Sequence, residues 1–151
     1  METIELGRTG AKVSRLGFGG APAGLTNYLG AYTPEDAAQR REVAAAIERA
    51  LALGVTYFDT APAYGDGASE AIFGEVLAGL EGEVFLATKV VPTETDIRAS
   101  LETSLTRLGR AYVDLLQIHG SSYSREMVDG FFASGGMIEQ MEVLRDEGLI
   151  R

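Results

Sequence analysis

The sequence contains no cysteine, no excess of basic residues and no apolar run long enough to cross a membrane. Without cysteine, disulfide bonds and thiolate metal sites are excluded, and a reducing compartment is compatible with the composition. The formal net charge of -9 argues against a polyanion-binding surface, because nucleic-acid-binding proteins usually carry a basic stripe. The first ten residues also lack the apolar core of a signal peptide. We therefore expect a cytoplasmic protein that binds neither nucleic acid, membrane nor metal.

The rest of the composition is typical of a globular protein. Of the 151 residues, 46% are hydrophobic and 23% are charged, which is enough for one domain with a real core. No linker or low-complexity segment interrupts the chain. Residues 1–151 are therefore predicted to form a single domain.

The first twenty residues predict a β-hairpin followed by a buried strand. Ile4 and Leu6 alternate with polar residues, residues 7–10 offer a turn, and residues 12–15 return along the first strand. The segment 16–20, Leu-Gly-Phe-Gly-Gly, then predicts a strand whose end needs a close backbone approach.

Strand and helix patterns then alternate four times. Strands are predicted over residues 16–20, 55–58, 84–88 and 113–118. Apolar stripes predict helices that contain residues 43–51, 72–80, 97–108 and 137–144 and end at Gly54, Gly82, Gly109 and Gly148. The first helix is expected to begin at Thr33, with Pro34 and two acids in its first turn. Residues 121–136 are expected to form a long loop with one short helical turn. This alternation predicts a parallel sheet with right-handed crossovers.

Two parallel architectures fit the alternation: a doubly wound sheet and half of an eight-stranded barrel. The Gly-x-Gly-x-x-Gly fingerprint of the first is missing, since the segment 16–20 lacks its third glycine and its junction with a helix. A hairpin ahead of the first strand is also an element that closes the bottom of a barrel. We therefore predict an α/β fold, the N-terminal half of a parallel (β/α)8 TIM barrel, with four β/α units preceded by a β-hairpin.

Polar side chains follow three of the predicted strands. Asp59, Lys89 and His119 lie at the ends of strands two, three and four, spaced by thirty residues, and Tyr64 lies in the loop after strand two. Taken singly, an aspartate can cap a turn, a lysine can be solvated and a lone histidine can be a structural hydrogen-bond donor. In an α/β barrel, however, the C-terminal strand ends share one face and carry the functional side chains. The convergence of these four residues on one rim favours a functional site.

The segment 58–65, Phe-Asp-Thr-Ala-Pro-Ala-Tyr-Gly, resembles the signature of the aldo-keto reductase family. Residues 87–89, 104–109 and 113–119 are similar to later motifs of that family, in the same order and spacing. The resemblance covers essentially the whole chain. It implies an oxidoreductase that transfers a hydride between NADP(H), or alternatively NAD(H), and a small carbonyl or alcohol substrate.

The resemblance also implies a role for each residue of the rim. Tyr64 is the proton donor, Lys89 and Asp59 tune it, and His119 orients the carbonyl group. The chemistry agrees with these roles, because an ammonium group beside a phenol stabilises the phenolate. A hydrogen-bond donor at the carbonyl oxygen stabilises the negative charge that develops there.

Cofactor contacts are implied for Gly19, Gly20 and Ala21 at the end of strand one, together with Asp59. Gly20 stands where the family often has threonine, which weakens the side-chain part of that contact. In the family, the remaining cofactor contacts come from the C-terminal half of the barrel, beyond Arg151. Most of the cofactor site is therefore expected to lie outside this chain.

An open half-barrel would leave the outer edges of strands one and four unpaired, and such edges invite pairing with another chain. The chain is therefore expected to form a homodimer or to pair with a complementary half-barrel chain. It could be an isolated half-barrel, one half of a two-chain protein or part of a longer enzyme. Two functional alternatives to the reductase follow: a catalytically incompetent assembly module, and a module that only senses the cofactor.

Overall fold

The computed structural model describes the whole chain, residues 1–151, as six strands and six helices. The strands are β1 (Thr3–Glu5), β2 (Lys12–Ser14), β3 (Gly17–Gly19), β4 (Tyr57–Asp59), β5 (Phe85–Val90) and β6 (Leu115–Ile118). The helices are α1 (Ala21–Gly24), α2 (Ala37–Ala52), α3 (Ala68–Leu77), α4 (Ile97–Leu108), α5 (Arg125–Phe131) and α6 (Met137–Asp146). None of these helices is both long enough and apolar enough to span a bilayer.

The strands form two sheets. β1 and β2 pair antiparallel as the predicted hairpin, and β3, β4, β5 and β6 form a parallel sheet in chain order. The predicted alternation of strands and helices is therefore confirmed. Chain-order neighbours in a parallel sheet bring the C-terminal ends of all four strands to one edge.

The hydrophobic core lies between this sheet and the helices. Its buried apolar side chains include Phe58, Leu86, Val90 and Leu116 from the sheet, Ile72, Phe73, Leu77, Ile97, Leu101 and Leu108 from α3 and α4, Ile47 from α2 and Leu144 from α6. Successive side chains of a strand point to opposite faces, so Tyr57, Phe85 and Gln117 lie on the other face of the sheet. There the rings of Tyr57 and Phe85 stack with centroids 5.4 Å apart. We call this second face the inner face.

The hairpin is fastened to the start of β4 by a buried serine. The Ser14 hydroxyl accepts the amide of Thr56 at 2.9 Å and that of Tyr57 at 3.3 Å, and it donates to the carbonyl of Leu16 at 2.6 Å. The hairpin thereby lies across the N-terminal ends of the strands and borders a cavity of about 910 Å³ on the inner face. The end of the sheet opposite the predicted rim is closed in this way.

The predicted start of the first long helix at Thr33 is wrong. α2 begins at Ala37, and its N-cap is Asp36, whose carboxylate accepts the amides of Ala38 at 2.8 Å and Gln39 at 3.0 Å. Residues 33–36 form a turn instead, with the Asp36 amide 3.2 Å from the Thr33 carbonyl. A carboxylate that satisfies two free amides competes well for the cap position, so the helix starts one turn later.

Three further helices differ from the prediction. Helix α3 ends at Leu77, with Ala78 as its C-cap, and not at Gly82. The segment 121–136 contains α5, a seven-residue helix capped by Ser124 rather than a single turn. The four-residue helix α1, directly after β3, was not predicted, because a stretch as short as Ala-Pro-Ala-Gly carries no periodic pattern.

The outer edge of the fourth parallel strand, β6, was expected to be unpaired, but it is partly paired just before the strand begins. Just before β6, the Val113 amide donates to the Leu149 carbonyl at 3.1 Å, and the Arg151 amide donates to the Val113 carbonyl at 3.0 Å. Ile150 thus forms a parallel bridge with Val113. At the opposite side of the sheet, β3 pairs with β4 alone, so its outer edge has no strand partner.

Candidate active site

The centre of the predicted rim is an ion pair between adjacent strands. The Lys89 ammonium nitrogen, on β5, lies 2.5 Å from a carboxylate oxygen of Asp59, at the end of β4. It also donates to the backbone carbonyl of Thr60 at 2.8 Å. The two side chains are only 13% and 25% exposed, so the pair is little screened by water. Asp59 and Thr60 therefore fix two of the three ammonium hydrogens of Lys89.

Tyr64 lies against both Lys89 and His119. The Lys89 ammonium is 5.0 Å from the centroid of the Tyr64 ring, and the ring of His119 meets that of Tyr64 edge to face, with centroids 5.3 Å apart. His119 follows β6, and its amide donates to the Val90 carbonyl at 2.8 Å. A cavity of about 400 Å³ is lined by Tyr64, Lys89, Gln117, Ile118, His119, Gly120 and Ser121. The structure thus brings all four residues of the rim together.

The loop that carries Tyr64 is held by a close backbone contact. A Cβ atom at Gly24, the last residue of α1, would lie 2.0 Å from the Tyr64 carbonyl oxygen. On the other side, Gly65 has a φ of +70°, and a Cβ atom there would lie 2.0 Å from the Gly24 carbonyl oxygen. Only glycine fits at both positions. Neither has space for a side chain, and Gly65 also has a left-handed backbone conformation. The unpredicted helix α1 therefore helps to place Tyr64.

His119 has a depressed pKa. Partial burial lowers the pKa of its imidazole, and the nearby Lys89 ammonium lowers it further, while Asp59 opposes both effects. The imidazole is therefore neutral at neutral pH. In that form one ring nitrogen is a donor and the other an acceptor.

The strand-end residues that are expected to contact a cofactor differ in their solvent exposure and in whether their backbone groups are free. Gly19 is exposed and pairs in register with Asp59, whereas Gly20 is buried and Ala21 is half-buried. The Gly20 amide already donates to the Asp59 carbonyl at 2.7 Å, and its carbonyl accepts the Ser69 hydroxyl at 2.8 Å. Gly19 and Asp59 also line a cavity of about 400 Å³ between the hairpin and the inner face. Of the three strand-end residues, Gly19 is the one that borders open space.

Sequence reasoning missed a layer of buried polar residues behind the rim. The Ser69 and Thr60 hydroxyls lie 2.8 Å apart, and the Glu70 carboxylate accepts the Thr88 hydroxyl at 2.7 Å. Arg107 of α4 lies 3.3 Å from the same carboxylate. Except for Arg107, these side chains are completely buried. In the sequence, a serine and a glutamate at the start of a helix look like an ordinary first turn, and only the folded chain brings them to Thr60 and Thr88.

Comparison with known proteins gives a consistent result. Residues 15–151 match the model of the Aldo/keto reductase family. The chain is 39% identical over 123 residues to the methylglyoxal reductase YeaE of Escherichia coli, covering 80% of this chain and 40% of that protein.

Solved structures of aldo-keto reductases also match nearly the whole of this chain. The holo form of an aldo-keto reductase from Bacillus halodurans matches with a TM-score of 0.78 and 30% identity, over 100% of this chain and 48% of that one. An aldo-keto reductase from Klebsiella pneumoniae, in complex with NADPH, matches with a TM-score of 0.70 and 33% identity, over 93% and 44%. The chain thus spans less than half the length of these relatives, and the predicted half of a (β/α)8 barrel is confirmed.

Proposed function

This chain belongs to the aldo/keto reductase family, and we propose that it supplies the catalytic side chains for hydride transfer between NADP(H) and a small carbonyl or alcohol substrate. The observation that carries this proposal is the position of Lys89, which is paired with Asp59 and lies against Tyr64, itself in contact with His119. A relative with 33% identity was solved with NADPH. When bound, the nicotinamide cofactor supplies or accepts the hydride, and the residues of the chain manage the substrate oxygen.

Tyr64 is the proton donor of the proposed reaction. Hydride addition to a carbonyl carbon leaves an alkoxide, which must take up a proton, and Tyr64 lines the same cavity as Lys89. The Lys89 ammonium stabilises the phenolate that remains after the transfer. Asp59 holds the Lys89 ammonium in place, which the short contact and the low exposure of the pair support.

His119 orients the substrate carbonyl. Its depressed pKa keeps the imidazole neutral, so that one N–H is available to the substrate oxygen without a competing full charge. Its edge-to-face contact with Tyr64 places both donors on one cavity. Two donors that converge on one oxygen fix its position for hydride attack.

The nicotinamide end of the cofactor is assigned to Gly19, Gly20, Ala21 and Asp59. Gly19 and Asp59 fit this assignment, because they border open space side by side. Gly20 contributes through the absence of a side chain, since its amide and carbonyl are already engaged. The other contacts of the dinucleotide belong to residues outside this chain in our proposal.

We further propose that the inner face and the β3 edge are covered by a second half-barrel, either a complementary chain or segment or a second copy of this one. Leu16, next to the edge strand, is 65% exposed, and Ile4 of the hairpin is 42% exposed. Exposed apolar residues beside an unpaired parallel strand favour such pairing.

A fusion protein tests the proposed function. Residues 1–151 are joined to the part of E. coli methylglyoxal reductase that follows its matched segment, and NADPH oxidation is followed with 4-nitrobenzaldehyde. We expect activity that Tyr64→Phe lowers about 10²- to 10⁴-fold, the usual contribution of a positioned acid. Tyr112→Phe, before the start of β6 at the opposite end of the sheet, is the matched control and should keep full activity. A fusion whose turnover survives Tyr64→Phe contradicts the proposal.

A further inference from the structure

Thr60, which directly follows Asp59, has its amide, its carbonyl and its hydroxyl all engaged in hydrogen bonds. Its amide donates to the Ala87 carbonyl at 2.9 Å, and its carbonyl accepts the Lys89 ammonium at 2.8 Å. Its hydroxyl lies 2.8 Å from that of Ser69. Thr60 therefore holds Lys89 from one side while its own side chain is held from the other.

The direction of the hydroxyl contact follows from counting hydrogens. The Ser69 hydroxyl has a single hydrogen, which it donates to the Gly20 carbonyl at 2.8 Å. The hydroxyl of Thr60 must therefore be the donor in the contact with Ser69. The result is a buried chain from Thr60 through Ser69 to Gly20, which joins the end of β4 to the end of β3.

Both hydroxyl groups of this chain are completely buried, so water cannot replace either partner. A buried polar group that loses its partner destabilises the arrangement around it, here the backbone of Thr60. The space is also shaped for this contact, because a Cβ atom at Gly20 would lie 2.5 Å from the Ser69 hydroxyl oxygen.

We propose that Ser69 is a positioning residue for the Asp59–Lys89 pair: its hydroxyl fixes Thr60, whose carbonyl orients the Lys89 ammonium. The inference rests on the proposed function only in taking that pair to be catalytic. Ser69 itself does not touch substrate or cofactor. It acts from behind the sheet, through one intermediate residue, and it couples the orientation of Lys89 to the strand end that carries Gly19 and Gly20.

The chain offers an unusually direct test, because Lys12 and Lys89 are its only lysines. Lys12 lies exposed on the hairpin and serves as an internal reference, whereas Lys89 is paired and 13% exposed. The protein is treated with an N-hydroxysuccinimide acetate ester, and the rates of acetylation at the two lysines are read by peptide mass mapping. We expect Ser69→Ala to raise the rate at Lys89, relative to Lys12, by at least about fivefold, as for the loss of one or two restricting hydrogen bonds.

Ser14→Ala is the matched control. Ser14 is also a buried serine that fastens β4, but at the opposite end of the strand, through Thr56 and Tyr57. Its loss should lower the free energy of unfolding and leave the rate of acetylation at Lys89 itself unchanged, since Lys12 lies in the same strand as Ser14 and does not serve as the reference for this variant. Thr60→Val removes the donor while it keeps the shape of the side chain, and it replaces Ser69→Ala if that variant does not fold.

An unchanged ratio in the folded Ser69 or Thr60 variant overturns the proposal, as does an equal rise of the acetylation rate at Lys89 in Ser14→Ala. The acetylation rates do not depend on hydride transfer. A failure of the reductase proposal, seen as turnover that survives Tyr64→Phe, is therefore distinct from a failure of this one.

Discussion

The ammonium group of Lys89 lies 2.5 Å from the carboxylate of Asp59, although thirty positions separate the two residues in the chain. The contact exists because β4 and β5 are neighbours and run in the same direction, so that their ends meet at one edge. Both side chains are mostly shielded from solvent. Removing either charge of this pair therefore changes the electrostatic environment of Tyr64 and His119.

Asp59→Asn should lower the turnover of the fusion protein by about 100-fold, because Lys89 loses the partner that orients it and Tyr64 loses a well-placed ammonium group. The steady-state kcat measures this loss. Asp66→Asn is the matched control, since Asp66 is exposed in the same loop and has a φ of +52°, which asparagine tolerates. Equal turnover in the two variants would remove Asp59 from the mechanism.

His119 should titrate below the usual histidine value of about 6.5. Burial and Lys89 depress its pKa, so Lys89→Met should raise it and Asp59→Asn should lower it further. As the only histidine, it gives a single C2 proton signal, which can be followed by NMR against pH. A His119 pKa that Lys89→Met leaves unchanged would contradict the effect of the Lys89 charge on His119.

The same depression links His119 to stability. The folded protein binds this proton less tightly than the unfolded chain does, so the contribution of His119 is present above the unfolded pKa. It is lost as the pH falls through the lower, folded value. The free energy of unfolding should therefore decrease on acidification in that window, and less so in a His119→Gln variant.

Gly74→Ala should destabilise the fold by about 1–3 kcal/mol through overpacking. A Cβ atom there would lie 2.3 Å from the Arg107 carbonyl oxygen of α4. In an exposed helix the same change is favourable by about 1 kcal/mol, so the sign of the effect is decisive. Gly130→Ala in α5 is the control, since nothing lies within 4 Å of its Cβ position. Urea denaturation of both variants provides the comparison.

The isolated chain should show no saturable NADPH binding in the micromolar range and no aldehyde reduction above background. Phosphate contacts are charge-assisted hydrogen bonds worth about 1.5–3 kcal/mol each, and the assigned cofactor contacts of this chain reach only the nicotinamide end. The net charge of -9 opposes a dinucleotide further. NADPH fluorescence titration measures the affinity. Tight binding by a preparation whose mass matches 151 residues contradicts the expectation.

The isolated chain should also associate. Light scattering at increasing concentration is expected to give masses above that of the 16.1 kDa monomer. Leu16→Lys places a charge beside the unpaired edge of β3 and should weaken association, whereas Leu53→Lys, at the end of α2, should not. A sharp monomer with cooperative thermal unfolding argues against an inner face that requires a partner.

The residues of the rim could be predicted from the sequence because they recur at a regular spacing along the chain. Equal spacing of Asp59, Lys89 and His119 after apolar runs is visible without any knowledge of tertiary contacts, and so is the hairpin before Gly17. The start of α2 was misjudged because Thr33 and Asp36 are both good caps, and the geometry of the preceding turn decides between them.

The positioning layer could not be predicted for a different reason. Ser69 meets Gly20 across 49 positions, and Glu70 meets Thr88 across 18, so no local pattern records either contact. Gly20 illustrates the same limit. Its lack of a side chain is visible in the sequence, but the use of that space by Ser69 is a property of the packed strands.

The regular strand order also bears on how the sheet assembles. Lys89 pairs with Gln117 and Asp59 with Ala87, both 28 positions later, while Gly19 pairs with Asp59, 40 positions later. Because the entropy of loop closure grows only with the logarithm of loop length, these pairings differ by about 0.3 kcal/mol. Loop closure therefore favours no pair of strands within the parallel sheet, and we expect the sheet to start folding where side-chain burial is greatest.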